Sequence, residues 1–225
     1  MSEPLIGEPR NGISFMALAP STPAVSPFRF RDIAVCGRPY PHFEAADFLT
    51  TEFADSMLGW LTENEQWQPR KLEGYVGYSD ISLQYGDLPH RLNALLALEA
   101  LSELRVSMGS FFQMDAEGYV RVTAHRLLAG SSLKPHCDLA PLKFTHRLLI
   151  HLNRGWTREN GGLLCVFDGD PSANKQTKQK LLLPVHRSAF AFEISNRSFH
   201  AVTPVVTGER YTLSYTFYPP SARQA

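Results

Sequence analysis

The chain is 225 residues long and 44% hydrophobic, and 22 Lys and Arg offset 22 Asp and Glu to leave no formal net charge. That balance argues against a nucleic-acid partner, which selects for a basic surplus or stripe. No apolar run approaches the roughly 18 residues a membrane-spanning helix needs, and no basic-then-apolar leader opens the sequence, so the cytoplasm is the expected compartment. Cys36, Cys137 and Cys165 are odd in number and scattered, which implies neither a disulfide framework nor a zinc ribbon. The length suits one single-core domain.

Residues 1–27 hold Pro4, Pro9, Pro20, Pro23 and Pro27 without a sustained period, and a loosely ordered arm is expected there, with one domain over 28–225. Thr50 or Thr51 can cap a helix in which Phe53, Met57, Trp60 and Leu61 form one apolar stripe. Pro89 suits the first turn of a second helix that turns Leu92, Leu95, Leu96 and Leu101 inward. From Gly118 the period changes to two. Strands are expected at roughly 119–128, 145–152, 162–167, 181–185, 188–194, 199–205 and 210–217, with a turn at Gly130-Ser131-Ser132 and a polar loop over 168–180. Short strands separated by turn residues suggest a sandwich or jelly roll, with the two helices outside one sheet.

The chemistry concentrates in His136-Cys137-Asp138, His200 and Arg210. A His-x-Asp triplet recurs by chance, so its setting matters. It follows an alternating strand, where residues i and i+2 share a face and can chelate one ion. His200 follows a second apolar run, Ala189–Ile194. Two imidazoles and a carboxylate can cover one face of an octahedral ferrous ion and leave three positions open. Arg210, on the strand after His200, supplies a cationic fork for the far carboxylate of a bidentate keto acid. Cys137, between two candidate ligands, should point to the opposite face and serve packing.

Leu133-Lys-Pro-His-Cys-Asp138, Leu148-Leu-Ile-His-Leu-Asn153, Gly161-Gly162-Leu163, Ser198-Phe-His-Ala-Val-Thr-Pro204 and Gly208-Glu-Arg210 together resemble the iron(II)/2-oxoglutarate-dependent dioxygenases of the prolyl-4-hydroxylase-like branch. The motifs span roughly Tyr119 to Tyr218, and Pro41–Leu49 is similar to an entry segment of bacterial members. The resemblance implies an α+β, mainly β fold: a double-stranded β-helix (jelly roll) with N-terminal helices packed outside the major sheet. It implies His136, Asp138 and His200 as ligands of Fe(II). Arg210 and Thr212 would hold 2-oxoglutarate, and His151 stands where relatives carry a Tyr that reaches the same carboxylate. O2 is the further cosubstrate.

The implied reaction is hydroxylation of an unactivated C–H bond in a small molecule, amino acid or peptidyl residue, with release of succinate and CO2. Desaturation or cyclisation at the same centre is the alternative. Two other classes stand beside it: a zinc hydrolase with His2Asp ligation, which gives Arg210 no role, and a non-catalytic jelly-roll module. The ligand carboxylate at 138 argues against halogenation, which needs that position for a halide.

Overall fold

A computed structural model describes residues 26–220 except 72, 86–87, 116, 140–143 and 174–176. The chain forms β1 (Ile33–Cys36), β2 (His42–Ala45), helix α1 (Thr51–Glu63), β3 (Gln68–Pro69), β4 (Tyr75–Ser82), helix α2 (Leu98–Phe112) and a long strand β5 (Val120–His136). It continues with β6 (His146–His151), β7 (Leu164–Phe167), β8 (Gln179–Leu182), β9 (Ala189–Glu193), β10 (His200–Val202) and β11 (Arg210–Phe217). The strands join in one antiparallel sheet of order β1-β2-β9-β6-β11-β5-β10-β7-β8, with β4 also on β5 and β3 on β4. Because β5 pairs with β11 through residues 120–127 and with β10 near its far end, the sheet curls into a half-barrel with the jelly-roll character the alternation suggested.

The alternation has an unusual orientation. In β11 every residue is buried, although Thr212, Ser214 and Thr216 alternate with Tyr211, Leu213, Tyr215 and Phe217. The apolar face joins Val120, Val122 and Ala124 of β5, and Leu148 and Ile150 of β6, in one cluster with Met57 and Leu61 of α1 and Leu104 and Met108 of α2. The polar face lines an interior cavity instead of meeting solvent. A period-2 polar stripe in this fold therefore marks the cavity wall.

Several local expectations change. Thr50 is the N-cap of α1 in extended conformation, but its hydroxyl makes no capping bond. Ala54 and not Phe53 completes the fully buried stripe with Met57 and Leu61. The segment after Pro89 divides: a 3-10 turn over His90–Leu95 buries Leu92 and Leu95, and α2 starts only at Leu98. Leu96 and Leu101 lie half-buried at its margin. Gly130-Ser131-Ser132 does not end a strand. Tyr78 pairs with Leu127 and Val76 with Ser132, so residues 128–131 form a wide bulge opposite Gly77. Gly130 takes φ +86 there, a conformation glycine adopts without penalty. The Ser131 hydroxyl closes the bulge by donating to the Gly77 carbonyl at 3.0 Å. The bulge sends the His136 end of β5 toward β10.

The expected arm over 1–27 lies outside the described residues but for Ser26 and Pro27. Those two are tied down, since the Ser26 hydroxyl reaches Glu103 at 2.5 Å and the Pro27 carbonyl accepts from Thr50 N–H at 2.9 Å. Among the described residues, no helix is long and apolar enough to cross a membrane.

Candidate active site

His136 ends β5, Asp138 follows two residues later, and His200 opens β10, paired directly opposite His136. One ligand atom from each lies within 4.8 Å of the other two. Oδ1 of Asp138 is 3.8 Å from His136 Nε2, and Oδ2 is 3.5 Å from His200 Nε2. Both imidazoles are anchored alike: His136 Nδ1 donates to the Lys134 carbonyl at 2.8 Å, and His200 Nδ1 to the Ser198 carbonyl at 2.9 Å. A carbonyl only accepts, so the proton must sit on Nδ1 and the Nε2 lone pair faces the shared centre, the tautomer a metal ligand needs.

Burial pushes His200 down to about 4, which keeps it neutral near pH 7. For Asp138 burial works the other way, but the positive charge facing it, Arg147 first, outweighs burial and holds the carboxyl below the usual range. The donor set is thus two imidazoles turning Nε2 to the centre and one carboxylate, which fits a divalent first-row ion. The Tyr75 hydroxyl donates to His136 Nε2 at 2.9 Å, and burial with the nearby Asp138 charge raises this phenol to about 12.

Arg210 starts β11 and is 3% exposed. Its Nε donates to the Gly162 carbonyl at 2.8 Å and one terminal nitrogen to the Thr212 hydroxyl at 2.9 Å. Burial lowers the guanidinium only to about 10, so it is charged at neutral pH. Among the described residues no carboxylate pairs with it. A buried cation without an anion is costly, and a cavity wall that keeps one suits an anionic ligand. Arg210, Thr212 and the His-Asp-His cluster line the same cavity of about 570 Å³.

His151 is paired with Thr212 across β6 and β11 and stands beside it on the same sheet face, its Nδ1 3.4 Å from the Thr212 hydroxyl. Burial and the Arg210 charge hold it well below its ordinary pKa, so it is neutral. Arg126 stacks over Trp67 at 4.7 Å, on the face away from the cavity. Cys137 is half-buried and lines the cavity, where packing on the far face was expected. Trp156 is buried, its indole N–H on the Gly161 carbonyl at 2.9 Å.

The cavity also holds residues that spacing did not single out: Tyr75 and Tyr78 of β4, His125 of β5 and Arg147 of β6. Arg121, Thr123 and His125 were legible as the polar half of an alternating strand. Arg147 was not separable from an ordinary surface arginine.

Gly162 positions the clamp. It has φ +62, and an added Cβ would sit 3.0 Å from Arg210 Cδ and 3.2 Å from Val205 Cγ2. Gly162→Ala is therefore expected to cost about 1–3 kcal/mol and to displace Arg210. Thermal unfolding should read a fall of about 2–10 °C, with weaker binding of any ligand the guanidinium holds. Unchanged values for both would remove this role.

Residues 122–218 match the model of the 2OG-Fe(II) oxygenase superfamily. An alignment 112 positions long is 32% identical to mouse prolyl 3-hydroxylase OGFOD1, covering 42% of this chain and 21% of that protein. A prolyl-4-hydroxylase of Pseudomonas putida superposes with a TM-score of 0.65 at 18% identity, over 79% of this chain and 91% of that one. A Trichoplax adhaerens prolyl hydroxylase, solved with a peptide of hypoxia inducible factor, gives 0.66 at 15% identity over 81% and 85%. The match thus falls on the strands that carry the His-Asp-His cluster and Arg210: that stretch is similar to the 2OG-Fe(II) oxygenase superfamily, and the described fold is similar to that of the prolyl hydroxylases.

Proposed function

We propose that this chain, as one domain over 28–225, is a non-haem Fe(II) oxygenase that uses 2-oxoglutarate and O2 to hydroxylate an unactivated C–H bond. The observation that carries the reading is Arg210, a buried guanidinium without a carboxylate partner among the described residues, in the cavity that also holds His136, Asp138 and His200. A zinc hydrolase leaves that cation without a task. Bound ferrous iron would let O2 act as the four-electron oxidant, with two electrons from 2-oxoglutarate as it becomes succinate and CO2 and two from the C–H bond that is hydroxylated.

The chain's residues do the rest. His136, Asp138 and His200 hold the metal through Nε2, a carboxylate oxygen and Nε2. Arg210 and Thr212 hold the far carboxylate of 2-oxoglutarate, and neutral His151, beside Thr212 on β6, orients its hydroxyl. Leu127, Leu149, Leu164 and Val202 give this part of the cavity apolar walls, which strengthens the charge pairing and keeps water from the centre.

With Fe(II), 2-oxoglutarate and a substrate, product mass should rise by one oxygen atom, matched one-to-one by succinate. The added atom should come from labelled O2. A product lighter by two hydrogens would assign desaturation or ring closure instead. Absence of succinate across metals and substrates would end the oxygenase reading.

A further inference from the structure

Along β11 the cavity carries two basic rows. The first is Arg210 with Thr212. In the second, Thr216 pairs with Arg147 on β6 and with Arg121 on β5, so two guanidinium-bearing residues flank one hydroxyl-bearing residue across three adjacent strands. All three line the cavity. Thr212 and Thr216 lie four residues apart, about 13 Å along a strand, so one small dicarboxylate on Arg210 does not occupy both rows.

Arg147 is the deeper guanidinium of the second row. A terminal nitrogen lies 3.0 Å from Asp138 Oδ2, and the side chain is 18% exposed. Its Nε is buried without a hydrogen-bond partner. The Phe144 ring lies 5.7 Å from its guanidinium carbon, and Arg121 stands over Tyr218 at 5.4 Å. Of the other two acidic residues lining the cavity, Asp80 is already paired to Arg70 at 2.9 Å and Glu73 is exposed to solvent. His125 is neutral, lowered to about 3 by burial and then by Arg147 and Arg210. On the reading proposed above, a divalent ion, Asp138, Arg210 and doubly charged 2-oxoglutarate neutralise one another. The charge of Arg147 is left over, beside the metal.

We propose that Arg147, with Thr216 and Arg121, is the substrate's anion-binding row, and that the substrate is a small carboxylic acid oxidised a few bonds from its carboxylate. The part-buried Arg147, with Arg121 exposed to solvent across Thr216, offers one planar fork next to the metal ligands, which matches a carboxylate. The 3.0 Å approach of Arg147 to a metal-ligand carboxylate keeps the bound acid next to the reacting centre. An internal peptidyl residue, which has no free carboxylate, leaves Arg147 unmatched. This inference rests on the oxygenase reading.

The test is calorimetric titration, under nitrogen, of protein loaded with Fe(II) and 2-oxoglutarate. The probes are the common amino acids and their 2-hydroxy analogues, each against its primary amide, and an N-acetylated, C-amidated prolyl peptide. Binding should be confined to acids, with amides at least about tenfold weaker, the loss of one charge-assisted contact. Arg147→Gln should weaken the best acid about tenfold or more, and Arg147→Lys should restore part of it. Equal binding of amides or of the blocked peptide, or no acid bound at all, overturns the proposal. If Arg147 only buttresses Asp138, Arg147→Gln will change metal affinity and leave the acid-to-amide ratio unmoved, which also overturns it. Failure of Fe(II) and 2-oxoglutarate to bind in the loading step would instead strike the oxygenase reading.

Discussion

Asp138→Ala is expected to abolish iron-dependent conversion of 2-oxoglutarate to succinate while the chain stays folded. Wild type should show a metal-induced rise in thermal midpoint, because an ion that binds only the native state stabilises it by mass action. At a free ion concentration a hundredfold above Kd the gain is about 2.7 kcal/mol, or about 5–10 °C for a domain of this size. Mn(II) under air or Fe(II) under nitrogen serves for the measurement. The variant loses the anionic ligand between the imidazoles, and its midpoint should be insensitive to metal. The apolar cluster of α1, α2 and the outer sheet face lies on the other side of the strands and should keep the fold intact. A variant that still shows the wild-type metal shift would place the metal elsewhere.

Arg210→Leu has the second largest expected effect, and its two readouts should move in opposite directions. The 2-oxoglutarate Kd should rise about tenfold to a hundredfold, since charge-assisted bonds contribute about 1.5–3 kcal/mol. Arg210→Lys should fall between, because a point charge replaces a planar fork. Stability without 2-oxoglutarate should hold or rise, because Leu removes a buried cation that no described carboxylate pairs. That opposition is the mark of a residue kept for binding at the expense of the empty fold. An unchanged Kd in the Leu variant would move the clamp away from Arg210. Arg126 is then a poor substitute, since it stacks on Trp67 outside the cavity.

Legibility in the sequence followed the period. β11 runs over Arg210–Phe217 where the alternation placed it, and β6 and β9 agree within two residues. His136 and Asp138 were readable because i, i+2 chelation from a strand needs no tertiary information, whereas His200, on another strand, was read from the motif around it. The N-terminal strands were not readable. β1 and β2 are four residues each, and β4, Tyr-Val-Gly-Tyr-Ser-Asp-Ile-Ser, is interrupted by Gly77 at the bulge. Tyr75 and Tyr78 were lost with β4. Arg147 was invisible for another reason: whether an arginine on a strand faces water or a cavity depends on what covers the sheet, and that is decided far away in sequence.

The matched anchoring of the two imidazoles reaches beyond geometry. With both Nδ1 protons held by carbonyls two residues back, both Nε2 atoms face the shared centre, and an ion has only to displace the Tyr75 hydroxyl from His136 Nε2. A preorganised nitrogen-oxygen site then follows the intrinsic affinity series, in which cobalt, nickel, copper and zinc all outrank ferrous iron. Identity of the occupant passes from the protein to its surroundings: whichever ion is most freely exchangeable in the medium wins. Zinc in slight excess becomes a reversible poison, and a chelator followed by ferrous salt becomes the antidote.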